Sequence, residues 1–474
     1  MNLQQENILW KLTLFFIIFQ LLKITVAQTN ASNNSVAMSN EEILDRISEF
    51  VNSADFDEQL RGITLTRQWL SLPNKTNFEK DFIKRGFLPI LVNGLEAANT
   101  KLQYECAVVL GFFTEGDHVD AVVKADSIVP LVDLVGSSDN KVAEVSAIVL
   151  GQIITQSTEY RDQCVDAGIA KAFAKRMNDA KSSINLLRHI TYASANICYD
   201  KSSPPTKEIA NILLPGLVRL VHHEDSEILK ETLTAISYIG RGNLIQMVKE
   251  SGVAKSVILL LNHKNPEIKL AAIDVLGNIS GGTDEDTQYI LDIGVLPSVE
   301  KFLNHPNKKL NKEGVWFLIN FLAGTKEQIQ QIFDAGYIPL AIKHLRSGDF
   351  ATQQKAAKCM LNVAVYGSEK HLSIIIDKNV IPALSSYMKA VEDNKEDKVI
   401  ELGLQAIEKI ILYAPKRIEG ILEQLFKYEG IDVLKRLTKH KSEPVKNLSQ
   451  YILDSLAVTE NTVNFYNHEI HDEI

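Results

Sequence analysis

A small turn residue followed by an apolar pair and then proline recurs along the chain. It is seen at Gly86 to Pro89, Ser127 to Pro130, Gly294 to Pro297, Gly336 to Pro339 and Asn379 to Pro382. Gly168, Gly252 and Gly430 mark the same point without the proline. From Gly252 the marks advance by 42, 42 and 43 residues, and Gly86 to Gly168 is two steps of 41. Each mark closes one helical pattern, as in Q-I-Q-Q-I-F-D-A-G, and precedes another apolar-periodic run such as Leu296 to Phe302. Proline opening that second run is tolerated, because its missing N–H would lack a helical partner there in any case.

A unit of about 42 residues with two or three helices and no strand pattern is of the armadillo/HEAT class. One unit cannot cover its own apolar face. Stacking covers it, and the expected product is an all-α, right-handed superhelical solenoid with a long concave surface. Composition agrees: 45% of residues are apolar and only 7% aromatic, a mix that suits stacked helices better than a sandwich or barrel. The formal net charge of −9 argues against nucleic acid and for a basic partner.

The repeats are expected over residues 41–456. Residues 1–40 read as an apolar leader and linker. Ile8 to Ala27 resembles a secretory signal, and sequons follow at Asn30 and Asn33. Lys11, Gln20 and Lys23 interrupt that run, which is too short and broken for a transmembrane helix, and Met38 offers an alternative start. Cys106, Cys164, Cys198 and Cys359 lie far apart in apolar helical patterns without zinc spacing. They are expected as buried reduced thiols, which imply a reducing compartment and oppose the secretory reading. Residues 457–474 lack apolar periodicity and read as a short disordered tail.

One stretch stands out, Lys312 to Gly324, K-E-G-V-W-F-L-I-N-F-L-A-G. Trp316 and Asn320 are four residues apart, hence on one helix face one turn apart. A Trp face accepts the stem and cation of a Lys or Arg, and an Asn amide can hold the backbone of an extended peptide. The amide recurs at the repeat step. Asn278 stands 42 residues before Asn320 and Asn362 stands 42 after, with Tyr238 and Asn196 in the earlier slots and Gln152 and Phe112 before them. Asn is mildly unfavourable in helix interiors, so a ladder of four needs a reason.

On these residues the sequence resembles the importin-α family, adaptors that carry proteins with nuclear localisation signals. Beyond the ladder, the resemblance rests on S-T-E-Y-R-D (Ser157 to Asp162), Y-D-K-S-S-P-P (Tyr199 to Pro205), D-I-G-V-L-P (Asp292 to Pro297) and, most specifically, Trp316 to Pro339. It implies about ten armadillo repeats, residence in cytoplasm and nucleus, and an acidic groove for the basic signals of cargo proteins. Trp residues there stack on peptide lysines, Asn residues hold the peptide backbone, and flanking acids take the ammonium groups. By position, the Trp slots read Val108, Ile148, Tyr192, Thr234, Asp274, Trp316 and Lys358.

The resemblance therefore assigns Trp316, Asn320, Asn278, Asn362 and Glu313 to a minor-type peptide site. It assigns Tyr192, Asn196 and Asp162 to a reduced major-type site, with Tyr238 between them. The aliphatic slots and Lys358 depart from the pattern. Each lost contact removes ~1–2 kcal/mol, and a groove cation repels a basic peptide. The family's basic N-terminal arm, which binds importin-β, has no counterpart in residues 1–40. Either importin-β is not engaged or the native N-terminus differs from this one. No phosphate loop, triad or metal-ligand spacing is present, so neither enzyme chemistry, cofactor nor metal is expected. An armadillo scaffold holding one dedicated partner is the competing reading.

Overall fold

A helix with an apolar stripe is stable only against a surface that covers the stripe, and each repeat supplies that surface to the next. The computed structural model describes residues 39–72, 77–199, 205–394 and 396–472, with side chains described as far as residue 457. The apolar leader and linker residues 200–204 lie outside the described residues. Among the described residues there are helices and turns and no strand. Short helices alternate with long ones: α1 (Phe56–Leu70), α2 (Thr100–Glu115), α3 (Asn140–Gln156), α4 (Ile184–Cys198) and α5 (Ser226–Ile239). The series continues with α6 (Pro266–Ser280), α7 (Lys308–Phe321), α8 (Phe350–Tyr366), α9 (Asp397–Tyr413) and α10 (Glu443–Asp472). The fold is an all-α armadillo solenoid.

The chain forms two compact units. In the unit ending at Leu220, α1 to α4 pack in order, each on the next. Its core includes Leu110, Phe113, Leu150, Ile153 and Phe173, all fully buried. In the unit beginning at Val221, α5 to α10 pack in the same serial way around Leu233, Leu276, Phe317, Phe321 and Tyr387. Burying such a side chain is worth ~1.5–3 kcal/mol, and in each unit much of that burial comes from the neighbouring repeat. The four cysteines are free and buried, and burial pushes the thiols of Cys106, Cys164 and Cys198 up to about 12.

The repeat marks are left-handed turns. Gly86, Gly168, Gly252, Gly294, Gly336 and Asn379 all have φ between 64° and 89°. At two marks the left-handed residue is one position earlier than the sequence pattern places it: Asp126 rather than Ser127, and Glu429 rather than Gly430. Asp tolerates this region through its short polar side chain. Gly430 is kept small by packing instead, because a Cβ there would come within 2.6 Å of Ser385 Oγ and 2.7 Å of Leu425 Cδ2.

A second recurring turn delivers the chain into the long helices of the second unit. Nδ1 of His223, His263 and His305 accepts the backbone N–H two residues on, at 3.0 Å each. Those next residues, Asp225, Asn265 and Asn307, cap α5, α6 and α7 by accepting first-turn N–H groups. The 42-residue spacing of His263 and His305 is thus a helix-entry device. At the far end, α10 runs to Asp472, through the stretch read from sequence as a tail. That stretch contains neither Gly nor Pro, so nothing in it breaks the helical hydrogen bonds.

Backbone geometry sets the sign of two substitutions. No heavy atom stands within 4 Å of a Cβ built on Gly336, so Gly336→Ala costs only left-handed strain, ~1–2 kcal/mol. Glu429→Gly removes such strain and loses an exposed pairing with Lys389 and the weaker attraction of Arg436, so a small net gain is expected. Chemical denaturation of both variants checks this. Equal shifts in the same direction contradict it.

Candidate peptide-binding face

Within each long helix, every fourth residue of the ladder returns to one face. The slot pairs Val108/Phe112, Ile148/Gln152 and Tyr192/Asn196 of the first unit are all half-buried. In the second unit Thr234, Tyr238, Asn278, Trp316 and Asn320 are half-buried, while Asp274 and Lys358 are exposed. Asn362 alone among these slots is buried, with 3% of its surface exposed. Its amide donates to the Ile319 carbonyl of α7 at 3.0 Å, which draws it into the seam between α7 and α8. It is therefore not displayed on the face that the 42-residue step implies.

The same bond explains the other ladder amides. Asn278 Nδ2 donates to the Ser237 carbonyl at 2.8 Å, and Asn320 Nδ2 donates to the Gly277 carbonyl at 2.9 Å and Ser280 Oγ at 3.1 Å. Ser237, Gly277 and Ile319 lie in the last turns of α5, α6 and α7, and each amide adds a donor from the next repeat to a carbonyl there, at Gly277 alongside the Gly281 N–H at 3.0 Å. Each Asn therefore fastens its repeat to the one before. In the first unit Gln152 serves a similar end by accepting the Thr114 hydroxyl, linking α3 to α2. Asn196 does not reach across, because its amide turns back to the Tyr192 carbonyl of its own helix at 2.9 Å.

Trp316 is seated by a glycine. A Cβ on Gly277 would lie 2.1 Å from Trp316 Cζ3, so the six-membered ring of the indole packs against α6 at Gly277. The equivalent positions of the first unit have room for a Cβ: one on Gly111 would meet only Val149 at 3.5 Å, and one on Gly151 only Ala193 at 3.9 Å, both ordinary contacts. The aromatic seat is kept in the second unit and relaxed in the first.

Charge on the ladder face of the second unit is mixed, where the resemblance implies an acidic surface. Glu313 pairs with Lys312 at 3.0 Å and with Lys355 at 3.7 Å. Lys355 Nζ also sits 5.5 Å from the Trp316 ring centroid, and the Arg241 guanidinium lies 4.6 Å from that of Tyr238. Asp274 reaches solvent, yet the protein around it displaces enough water to push its carboxyl up to about 7, and Glu313 adds to the rise against Arg241, Lys355 and Lys312. In the first unit Asp162 is exposed and paired with Arg161 at 2.9 Å, and Arg161 also donates to the Tyr199 carbonyl. The ladder of Trp and Asn slots does not include Lys355. Its signal was available, since Lys355 follows Glu313 by 42 residues, one repeat.

Two outcomes follow. Asn320→Ala removes the inter-repeat donor shared by the Gly277 carbonyl, which keeps the Gly281 N–H, and the Ser280 hydroxyl, and costs about 1 kcal/mol, read by chemical denaturation; an unchanged midpoint contradicts the fastening role. Asp274 has a folded pKa above its unfolded value, so its penalty is fully present above pH 7 and fades as pH falls toward 4. Asp274→Asn should therefore stabilise at pH 8, by roughly 1 kcal/mol once solvent screening is allowed for, with the gain shrinking by pH 5. A gain independent of pH contradicts the assignment.

No family model matches the chain. It is 29% identical over 266 residues to importin subunit alpha-1b of Oryza sativa subsp. japonica, covering 55% of this chain and 49% of that protein. It is 30% identical over 247 residues to importin subunit alpha-1a of the same plant, covering 51% and 46%. With importin subunit alpha-2 of Caenorhabditis elegans the identity is 27% over 264 residues, covering 55% and 49%. The chain thus spans about half the length of the curated relatives it matches. Among solved structures, an engineered protein superposes with a TM-score of 0.75 at 24% identity, over 89% of this chain and 99% of that one, and shares the fold. The chain is an armadillo-repeat protein that resembles importin-α subunits over about half its length.

Proposed function

We propose that the chain is a binding adaptor of the nuclear-import type, holding an extended basic segment of a cargo protein along the ladder face of its second unit. One observation carries this reading: Trp316 and Asn320 stand on one half-exposed face, with Asn278 one repeat before them. Similarity to importin-α subunits over about half the chain supports it. Trp316 offers a ring for a cationic stem and Glu313 a carboxylate beside it. Asn320 has both amide hydrogens committed, so its carbonyl oxygen is the group that would accept a peptide N–H. Asn278 donates one hydrogen to Ser237 and keeps the other for a peptide carbonyl. Tyr238 borders this site, and Tyr192, Asn196 and Asp162 form a reduced second one in the first unit. Binding is the whole mechanism, with no covalent step.

On this reading the protein works in cytoplasm and nucleus, its partners are cargo proteins with basic localisation signals, and importin-β is engaged only through a basic arm that residues 1–40 do not supply. No helix among the described residues is long and apolar enough to cross a membrane. A second reading, a scaffold for one dedicated partner, is favoured by the exposed Lys358 in a Trp slot and by the cations already paired with Glu313.

Titration with a bipartite basic peptide separates the two. The adaptor reading expects measurable binding that weakens at least tenfold in the Trp316→Ala, Asn320→Ala double variant, the loss of two contacts of about 1 kcal/mol each. Absent binding, or binding indifferent to the double change, overturns it.

A further inference from the structure

We propose that Lys355 is an internal occupant of the Trp316 pocket, placed where the lysine of a bound peptide would stand, and that it sets the affinity a basic partner must exceed. The inference rests on the adaptor reading of this face and adds the residue that decides its selectivity. Lys355 is carried by α8 and reaches back one repeat to α7. There its Nζ takes both features that would receive a peptide lysine: the Trp316 ring, with the centroid 5.5 Å away, and the Glu313 carboxylate, 3.7 Å away. Lys312 holds the other Glu313 oxygen at 3.0 Å, so both oxygens of that carboxylate are engaged, and the nearby Asp274 carboxylate also acts on Lys355. Only 27% of the Lys355 side chain is exposed, and removal from water holds its ammonium below the usual lysine range. A partly dehydrated cation over a Trp face and beside an acid is what a captured peptide lysine would be.

The energetic consequence is direct. A peptide lysine entering this pocket displaces a lysine already there. The incoming ammonium gains the ring and the carboxylate while the outgoing one regains water, so the affinity of a basic peptide for this pocket is lowered and not abolished. Lys358, exposed one turn further along α8, adds repulsion of a second cation. The site has kept the receptor groups of a basic-peptide pocket and filled them from within. Selectivity set by an occupying group, rather than by deletion of the receptor groups, leaves a pocket that a single substitution can reopen.

Lys355→Met keeps an unbranched stem against Trp316 and removes the ammonium; Lys355→Gln is the second variant should the first fold poorly, with helical content and melting checked for both. The probe is an eight-residue lysine-rich peptide, titrated into wild type and variants. Either variant should bind at least tenfold tighter than wild type, and adding Trp316→Ala should abolish the gain. If wild type and both variants bind equally, Lys355 is no occupant and the proposal falls while the adaptor reading stands. If only the Lys355 variants bind, the occupant is confirmed and wild-type capture of basic cargo fails. If none binds, both fall.

Discussion

Everything on the ladder face depends on how a long helix ends. In the second unit the next repeat adds a donor to a carbonyl in its last turn: Asn278 to Ser237, Asn320 to Gly277 beside the Gly281 N–H, and Asn362 to Ile319. This ties consecutive repeats at a fixed register and fixes which side chains share the exposed face. Trp316 follows from the same constraint. With α6 and α7 joined at Gly277 and Asn320, the absence of a Cβ on Gly277 leaves room for the indole against the backbone. In the first unit the comparable link is made by Gln152 and Thr114, and the aromatic seat above Gly111 and Gly151 is not taken up.

The frame was legible from residue spacing because it is made by short-range rules. Left-handed turns want glycine and long helices want capping oxygens; from Gly86 to Asn379 the turns advance by 40 to 43 residues per repeat, and from Asp55 to Asp349 the caps advance by 40 to 44. The misplacements are equally physical. Ser127 and Gly430 look like turn residues, but Asp126 and Glu429 take the positive φ, and Gly430 is small because Ser385 and Leu425 crowd it. Helix α10 continues where hydrophobic periodicity ends, since a stretch free of Gly and Pro can remain helical without an apolar stripe.

The site was half legible. Slot arithmetic put Trp316, Asn278 and Asn320 on one face, as the structure has them, and put Asn362 there too, where it is buried. Arithmetic says which residues share a face but not whether a side chain points outward or fastens to a neighbour. Nor can it show that a lysine one repeat away leans back over the Trp. Lys355, Arg241 and Arg161 all pair with residues that the family resemblance assigns to a peptide. Divergence here is partly substitution and partly self-occupation: groups that could receive a partner have found partners within the chain.

Self-occupation can be measured with no ligand at all. In a double-mutant cycle on unfolding free energy with Lys355→Met and Trp316→Ala, a cation resting on the ring gives a coupling of about 0.5–1 kcal/mol. Single effects that add within about 0.3 kcal/mol would mean that Lys355 and Trp316 do not interact, and that the pocket is open.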